Sequence, residues 1–146
     1  MELMPPFLLL KIVYDDDDLI EIESRLVVGD WSGRSLAYAS AMLAKENAES
    51  LAKWILKTNS PFVLELGGND ATGWVCLRFR KVDNAGHILC YIQLADRDMN
   101  QRAGGEVSRL AIEMQVDLGQ IERFALALKT AVSAHRGEAL LQGRIR

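Results

Sequence analysis

The sequence predicts an α+β fold in which a largely antiparallel, twisted sheet of about seven strands is covered by two helices. Three observations support this prediction. Several segments alternate apolar and polar residues, which is the period of a half-buried strand. Two others carry apolar residues at helical spacing, and each of these follows a set of strands. The resulting order is βββα-β-βββα, which we interpret as a single domain over residues 1–146 with units at 7–57 and 62–135.

The first unit begins with two strong strands. Phe7–Tyr14 is a nearly continuous apolar run that suits a buried strand, and Leu19–Val28 alternates with Ile20, Ile22, Leu26 and Val28 inward. A weaker third strand is marked by apolar residues on alternate positions, namely Leu36, Tyr38, Met42 and Ala44. Asn47 is the predicted N-cap of the first helix, which ends near Lys57.

The second unit contains the clearest hairpin of the chain. After a short strand at Phe62–Leu66, the arms Trp74–Lys81 and His87–Ala95 turn at residues 83–86. The apolar faces of the two arms fix their register, with Phe79 opposite Cys90 and Leu77 opposite Ile92. This register places Cys76 and Cys90 on different faces, so the geometry excludes a disulfide between them.

The second unit ends in a strand and a long helix. Val107–Val116 alternates, and a polar loop from Asp96 to Gly105 precedes it. Asp117 is the predicted N-cap, with Gln120 as its capping-box partner. The apolar face of this helix is formed by Ile121, Phe124, Ala125, Leu128 and Val132. The tail after His135 is predicted to form one further turn.

The two units also suggest an internal repeat. An offset of about seventy positions places Asn47 on Asp117, Leu51 on Ile121 and Trp54 on Phe124. Because periodic apolar residues coincide easily, the order of the elements is a safer prediction than a true duplication.

The composition excludes several classes of protein. Apolar residues make up 49% and charged residues 25% of the chain, which is typical of globular domains. The net charge of −3 argues against a nonspecific nucleic-acid binder. Two cysteines are too few for a disulfide scaffold and indicate a reducing compartment. The N-terminus carries Glu2 in place of a basic region, and no run approaches the ~20 apolar residues of a membrane helix. We therefore expect a cytoplasmic protein with neither a nucleic-acid nor a membrane partner.

The most distinctive charged feature is Asp15-Asp16-Asp17-Asp18, which is predicted to form a turn. It is interpreted as a solvated turn, with an anionic patch for a basic partner and a metal site as alternatives. Adjacent carboxylates point apart, which disfavours the metal site. His87 and His135 fall on unrelated elements, so they predict neither a triad nor a zinc site. No catalytic, metal-binding or cofactor-binding residue is assigned.

Three segments carry a resemblance to a known group of proteins: residues 86–92, 110–114 and 120–124. Together with the strand that ends in Glu65-Leu66, they resemble small bacterial proteins that have a Gly-His hairpin, a strand and a following helix. Some members are immunity proteins that neutralise contact-dependent, wall-associated nuclease toxins. The resemblance covers about Phe62 to Leu128, and it is weaker from Ser35 to Leu56. It implies a fold more than a function, and it transfers no catalytic or binding residue.

The leading hypothesis is a non-enzymatic, cytoplasmic bacterial protein, an immunity protein that binds and neutralises a toxin. The alternative is a homo-oligomeric interaction module with no toxin partner. The residues predicted to contact a partner are Asp15, Asp16, Asp17 and Asp18, since acidic charge steers the binding of basic nucleases.

Overall fold

The computed structural model describes residues 4–68, 73–97 and 107–145. Within these ranges it contains eight strands and two helices, which are β1 (Phe7–Asp16), β2 (Leu19–Val28), β3 (Trp31–Ser40), α1 (Ala41–Trp54), β4 (Phe62–Gly67), β5 (Gly73–Lys81), β6 (His87–Arg97), β7 (Val107–Asp117), α2 (Leu118–Ala134) and β8 (Gly137–Gln142). All neighbouring strands pair antiparallel. The α+β class and the order of elements are confirmed, and β8 stands where the tail was predicted to form a turn. Residues 98–106, most of the predicted polar loop, lie outside the described ranges.

The strands form two four-stranded sheets, sheet A with the order β3-β2-β1-β8 and sheet B with the order β4-β5-β6-β7. Strand β4 follows the first three strands and α1 in the chain, yet it pairs with β5 in sheet B. Strand β8 follows the second three strands and α2, yet it pairs with β1 in sheet A. Each half of the chain therefore donates its last strand to the sheet of the other half.

The two halves repeat each other in register as well as in order. Leu10 lies opposite Ser24 on one side and Ala139 on the other. Leu77 occupies the same place in the second half, between Ile92 and Leu64. The repeat does not follow a single offset, because the halves have turns of different length. The unit is thus βββαβ, one strand longer than the sequence indicated.

The predicted start of the first helix is wrong. Helix α1 begins at Ala41, and the Ser40 hydroxyl caps it by accepting a hydrogen bond from the Leu43 backbone N–H at 3.3 Å. Asn47 lies inside the helix, and Met42 and Ala44 are helical instead of extended. The error has a simple cause. Ser40 stands where the alternation of the predicted strand would require an apolar residue, and this serine is the helix cap. Asn47 consequently does not correspond to Asp117, and the offset of about seventy positions fails for the helices.

The inward face of β3 also differs from the prediction. Ser35 and Ala37 are buried, whereas Leu36 is half-buried and Tyr38 is exposed. Strand β3 lies against the backbone of sheet B, where the Ser35 hydroxyl donates to the Trp74 carbonyl at 3.4 Å. A side chain at Gly73 would meet the Leu36 carbonyl oxygen. Only small residues fit at such a contact, so the usual apolar alternation is inverted there.

Helix α2 begins as predicted after Asp117, whose backbone is extended (φ −97°, ψ 154°). Its side chain makes no capping hydrogen bond, so the predicted capping box with Gln120 is absent. The helix ends at His135, which adopts the left-handed conformation with φ 59°. This conformation is uncommon for a residue with a Cβ and turns the chain directly into β8.

The predicted register of the β5–β6 hairpin is confirmed, with Phe79 opposite Cys90 and Leu77 opposite Ile92. Cys90 lies in the main core, whereas Cys76 packs with Trp74 and Ala95 on the other face of sheet B. Both thiols are free. We call the core side of each sheet its inner face and the other side its outer face.

One hydrophobic core joins both inner faces with the buried sides of the two helices. The sheets are also connected at their margins. The Leu36 N–H donates to the Asp96 carboxylate at 3.3 Å, and the Arg144 N–H donates to the Gln115 carbonyl at 2.8 Å. In the described part of the chain, neither helix is long and apolar enough to cross a membrane.

Candidate functional site

The four aspartates predicted to contact a partner lie at the end of the β1–β2 hairpin. Asp15 and Asp16 are the last residues of β1, and Asp17 and Asp18 form the connection to β2. The turn is therefore shorter than predicted, because Asp16 still pairs with Leu19. All four side chains are exposed. We call Asp15–Asp18 the acidic tip.

A bulge distributes these carboxylates over two faces. The register of β1 on β2 shifts between Ile12 and Tyr14, so that Val13 has no partner in β2. Beyond the bulge, Tyr14 and Asp16 lie on the outer face of sheet A, whereas Asp15 lies opposite Ile20 on the inner side. There its Oδ2 is 3.8 Å from the Nδ1 of His135, the residue that ends α2. The tip therefore presents charge both to solvent and to the ends of the helices.

Exposed apolar side chains surround the acidic tip. Tyr14, Leu19, Tyr38 and Met42 are 54%, 42%, 45% and 66% exposed. Leu19 lies opposite Ser40, and Tyr38 lies opposite Glu21, so these residues share the outer face with Asp16. Aromatic residues and methionine are enriched in protein interfaces. This end of sheet A therefore combines apolar side chains of the types enriched in interfaces with exposed carboxylates.

The Tyr38 hydroxyl interacts with a carboxylate on the same face of sheet A. The hydroxyl donates a hydrogen bond to the Glu21 carboxylate, and this bond, together with the negative charge of Glu21, raises the pKa of Tyr38. The tyrosine thus remains neutral and presents its ring beside a carboxylate.

Two grooves flank the start of α1. The first, about 450 Å³ in volume, is lined by residues that include Asp17, Asp18, Lys45 and His135. The Asp18 carbonyl accepts a hydrogen bond from the Ala41 N–H at 3.0 Å, which ties the tip to the helix. The second groove, about 440 Å³, is lined by Tyr38, Glu46, Glu65 and neighbouring residues. Glu65 is held there by the Trp74 indole, which donates to its carboxylate at 2.6 Å.

The histidines are placed apart by the fold. His87 binds Asp83 in the β5–β6 turn with an Nδ1–Oδ2 distance of 2.8 Å, whereas His135 lies beside Asp15. Burial raises the pKa of Cys76 and, to a greater extent, that of Cys90, which leaves both thiols protonated at neutral pH. Within the described ranges, no three side chains of His, Cys, Asp or Glu are grouped as metal ligands.

Sequence reasoning located the acidic tip but missed the apolar residues around it. The sequence predicts Tyr14 to lie in a buried strand, and Tyr38 and Met42 to occupy inward positions of the third strand. The bulge at Val13 and the contact of β3 with sheet B produce these exposures, and neither has a signature in the local sequence. Ser40 was the available signal, because a helix beginning there exposes Met42. Outward residues Arg109, Glu113 and Gln115 lie on the outer face of sheet B, away from the tip's strands.

A comparison of the chain with known protein families, curated proteins and solved structures found no match.

Proposed function

We propose that this is a non-enzymatic protein of the bacterial cytoplasm that binds and neutralises a basic, nuclease-like toxin through its acidic tip. One observation supports the proposal above all: carboxylates and large exposed apolar side chains occur together at the end of sheet A. The carboxylates attract a positively charged surface and accelerate encounter. Tyr14, Tyr38 and Met42 supply the apolar area on which stable binding depends.

The charged and the apolar side chains are expected to affect different rate constants of binding. Exposed charges act mainly on the association rate and lose their effect as salt is added. Buried aromatic contacts act mainly on the dissociation rate, because they must be rehydrated when the complex separates. Asp16 and Asp17 are therefore expected to determine the salt dependence of binding, and Tyr14 and Tyr38 the lifetime of the complex.

The test first asks whether the reading frame adjacent to the one for this chain encodes a secreted protein with a nuclease-like end, and then co-expresses that protein with the chain. The wild-type chain is expected to rescue growth and to co-purify with the toxin. The variant Asp16→Lys/Asp17→Lys is expected to lose both effects, because it reverses charge at the tip. A matched control is Asp30→Lys/Glu122→Lys, which changes net charge equally at exposed positions on the β2–β3 turn and on α2.

The control variant is expected to protect like the wild type. If the wild-type chain neither protects nor forms a complex, the proposal of toxin neutralisation fails. Equal loss of protection in both charge variants would reject the acidic tip as the binding surface and leave only a dependence on net charge.

A further inference from the structure

The outer face of sheet B carries a surface with two arginines, in contrast to the carboxylates of the acidic tip. Val63, Arg78, Tyr91 and Glu113 form one row across the four strands, and Arg80 lies opposite Leu89 in the next row. Arg78, Arg80, Tyr91 and Glu113 line a shallow depression of about 340 Å³. We call these four residues with Val63 the arginine face.

The two arginines lie in different surroundings. The guanidinium of Arg80 is 3.7 Å from the Glu113 carboxylate, whereas Arg78 makes no ion pair with any described residue. Both project from the same face of β5, since they are two positions apart in one strand. Arginine binds carboxylates through two parallel hydrogen bonds, and a neighbouring tyrosine supplies apolar contact. The arginine face is therefore suited to an acidic and partly apolar surface.

The acidic tip of the same chain has this character. On the outer face of sheet A, Asp16 of the tip and the neighbouring Glu21 lie beside the exposed Tyr14, Leu19 and Tyr38. The arginine face presents Arg78 and Arg80 beside the exposed Val63 and Tyr91. Both surfaces thus combine charge with exposed apolar side chains. The charges of the first are carboxylates, whereas the second has two arginines and the single carboxylate of Glu113, so its net charge is positive.

We propose that the chain associates with itself, with the acidic tip of one copy bound to the arginine face of another. This inference goes beyond the proposed function and does not depend on it. The two surfaces belong to different sheets, so the contact joins unlike patches, and copies joined in this way form either a closed ring or an open chain. In both cases the average mass of the assembly increases with concentration.

The experiment measures mass by sedimentation velocity over a hundredfold range of concentration at low salt. The average mass of the wild-type chain is expected to rise with concentration and to fall back when salt is added, because the contact depends on charge. Arg78→Glu and Asp16→Lys/Asp17→Lys are each expected to weaken association at least about tenfold, since each places like charges at the contact.

The decisive measurement uses a mixture of the two variants. Arg78→Glu retains an acidic tip, and Asp16→Lys/Asp17→Lys retains the arginine face, so the mixture restores one native contact. Its second contact is charge-reversed, with lysine facing glutamate. Association is expected to return in the mixture and not in either variant alone. Unchanged thermal unfolding of both variants checks that they are folded.

The proposal is overturned if the wild-type chain remains monomeric throughout the concentration range, or if the mixture stays monomeric. An acidic partner protein that binds the arginine face of a strictly monomeric chain would also overturn it. These outcomes are independent of toxin neutralisation, because a monomeric chain that protects cells would leave the proposed function intact.

Discussion

Strands β3 and β7 occupy equivalent places in the two halves, yet their inward residues differ greatly in size. The inward positions of β3 are Gly33, Ser35 and Ala37, and those of β7 are Leu110, Ile112 and Met114. A side chain at Gly33 would require Leu110 to move, because a Cβ there would lie 2.7 Å from the Leu110 Cδ2. The two halves therefore share a strand register although their inward side chains pack differently. Small residues in β3 lie where the other half has large residues in β7.

The two hairpin turns differ in how they use their carboxylates. In the β5–β6 turn, the Asp83 carboxylate accepts from the Ala85 N–H at 2.8 Å and pairs with His87. In the β1–β2 turn, the four aspartates are exposed at the end of the hairpin. The Asp83 carboxylate thus stabilises its own turn, whereas in the β1–β2 turn Asp15 lies near His135, and Asp16 and Asp17 are exposed at the end of the hairpin.

The largest expected change in the free energy of unfolding comes from a substitution in α2, and the equivalent position in α1 provides the comparison. Phe124 is fully buried in α2, and the equivalent position of α1 holds the half-buried Asn47. Phe124→Ala is expected to lower the free energy of unfolding by about 3–5 kcal/mol, because it leaves a cavity in the core. Asn47→Ala is expected to cost less than about 1 kcal/mol, since its hydrogen bond to the Glu65 carbonyl is long at 3.4 Å. Urea denaturation measures both, and equal losses would contradict the asymmetry.

A second substitution tests the contact between the halves. Gly73→Ala would place a Cβ 1.7 Å from the Leu36 carbonyl oxygen, so β3 must move away from β5. We expect a loss of about 1–3 kcal/mol of unfolding free energy, as for overpacked cores. In the control Gly119→Ala, the new Cβ meets nothing closer than 3.8 Å, and stability is expected to rise by about 0.4–1 kcal/mol. A neutral Gly73→Ala would show that the halves are not in close contact there.

A pair of neighbouring serines gives a smaller effect. Ser24 and Ser35 lie opposite each other and are both buried, but the Ser24 hydroxyl has no hydrogen-bond partner among the residues that the structure describes. Ser24→Ala removes an unsatisfied polar group and is expected to leave stability unchanged or to raise it by up to about 1 kcal/mol. Ser35→Ala removes the hydrogen bond to Trp74 and is expected to cost about 0.5–1.5 kcal/mol. Denaturation curves in which Ser24→Ala is the more harmful change would contradict this account.

The smallest expected change in stability concerns the β5–β6 turn, with the β1–β2 turn as the comparison. The hydrogen bond from His87, with that from the Ala85 N–H, lowers the pKa of Asp83 below its usual value in the folded protein. Its contribution to stability is therefore complete above the unfolded pKa of about 3.9 and is lost as the pH falls through the lower folded pKa. Asp83→Asn should lower the melting temperature at pH 7 and reduce its fall below pH 4.

The exposed Asp17 provides the matched control for that experiment, because it occupies the turn of the other hairpin. Asp17→Asn is expected to change the melting temperature at pH 7 less than Asp83→Asn does. Thermal unfolding monitored by circular dichroism compares the two variants. A larger effect of Asp17→Asn would show that the acidic tip also supports the fold.

Local periodicity was sufficient to predict most of the fold. The apolar alternation of the β5–β6 hairpin predicted its register, and its bounds to within two residues, because both faces of its arms are clearly marked. Local periodicity gave wrong predictions where the conformation depends on contacts between residues that are distant in sequence. The small inward residues of β3 make sense only beside the backbone of sheet B, and β8 is a strand because β1 offers it an edge.

The candidate site was predictable only in its charge. Four consecutive aspartates are visible in the sequence, and their exposure follows from mutual repulsion. The exposure of Tyr14 depends on a bulge, and that of Tyr38 depends on the inversion of β3. Both require knowledge of which strands pair and where the second half packs, which periodicity within one segment does not contain.

The exchange of the last strands has a consequence for synthesis on the ribosome. Leu8 pairs with Leu141, so the first strand of the chain gains its second neighbour only after nearly all other described residues have been made. Until then, one edge of the apolar segment Phe7–Leu10 is unpaired, and an open apolar edge favours aggregation. The nascent first half can complete sheet A only when β8 emerges, and the interval before that is when the growing chain is most vulnerable.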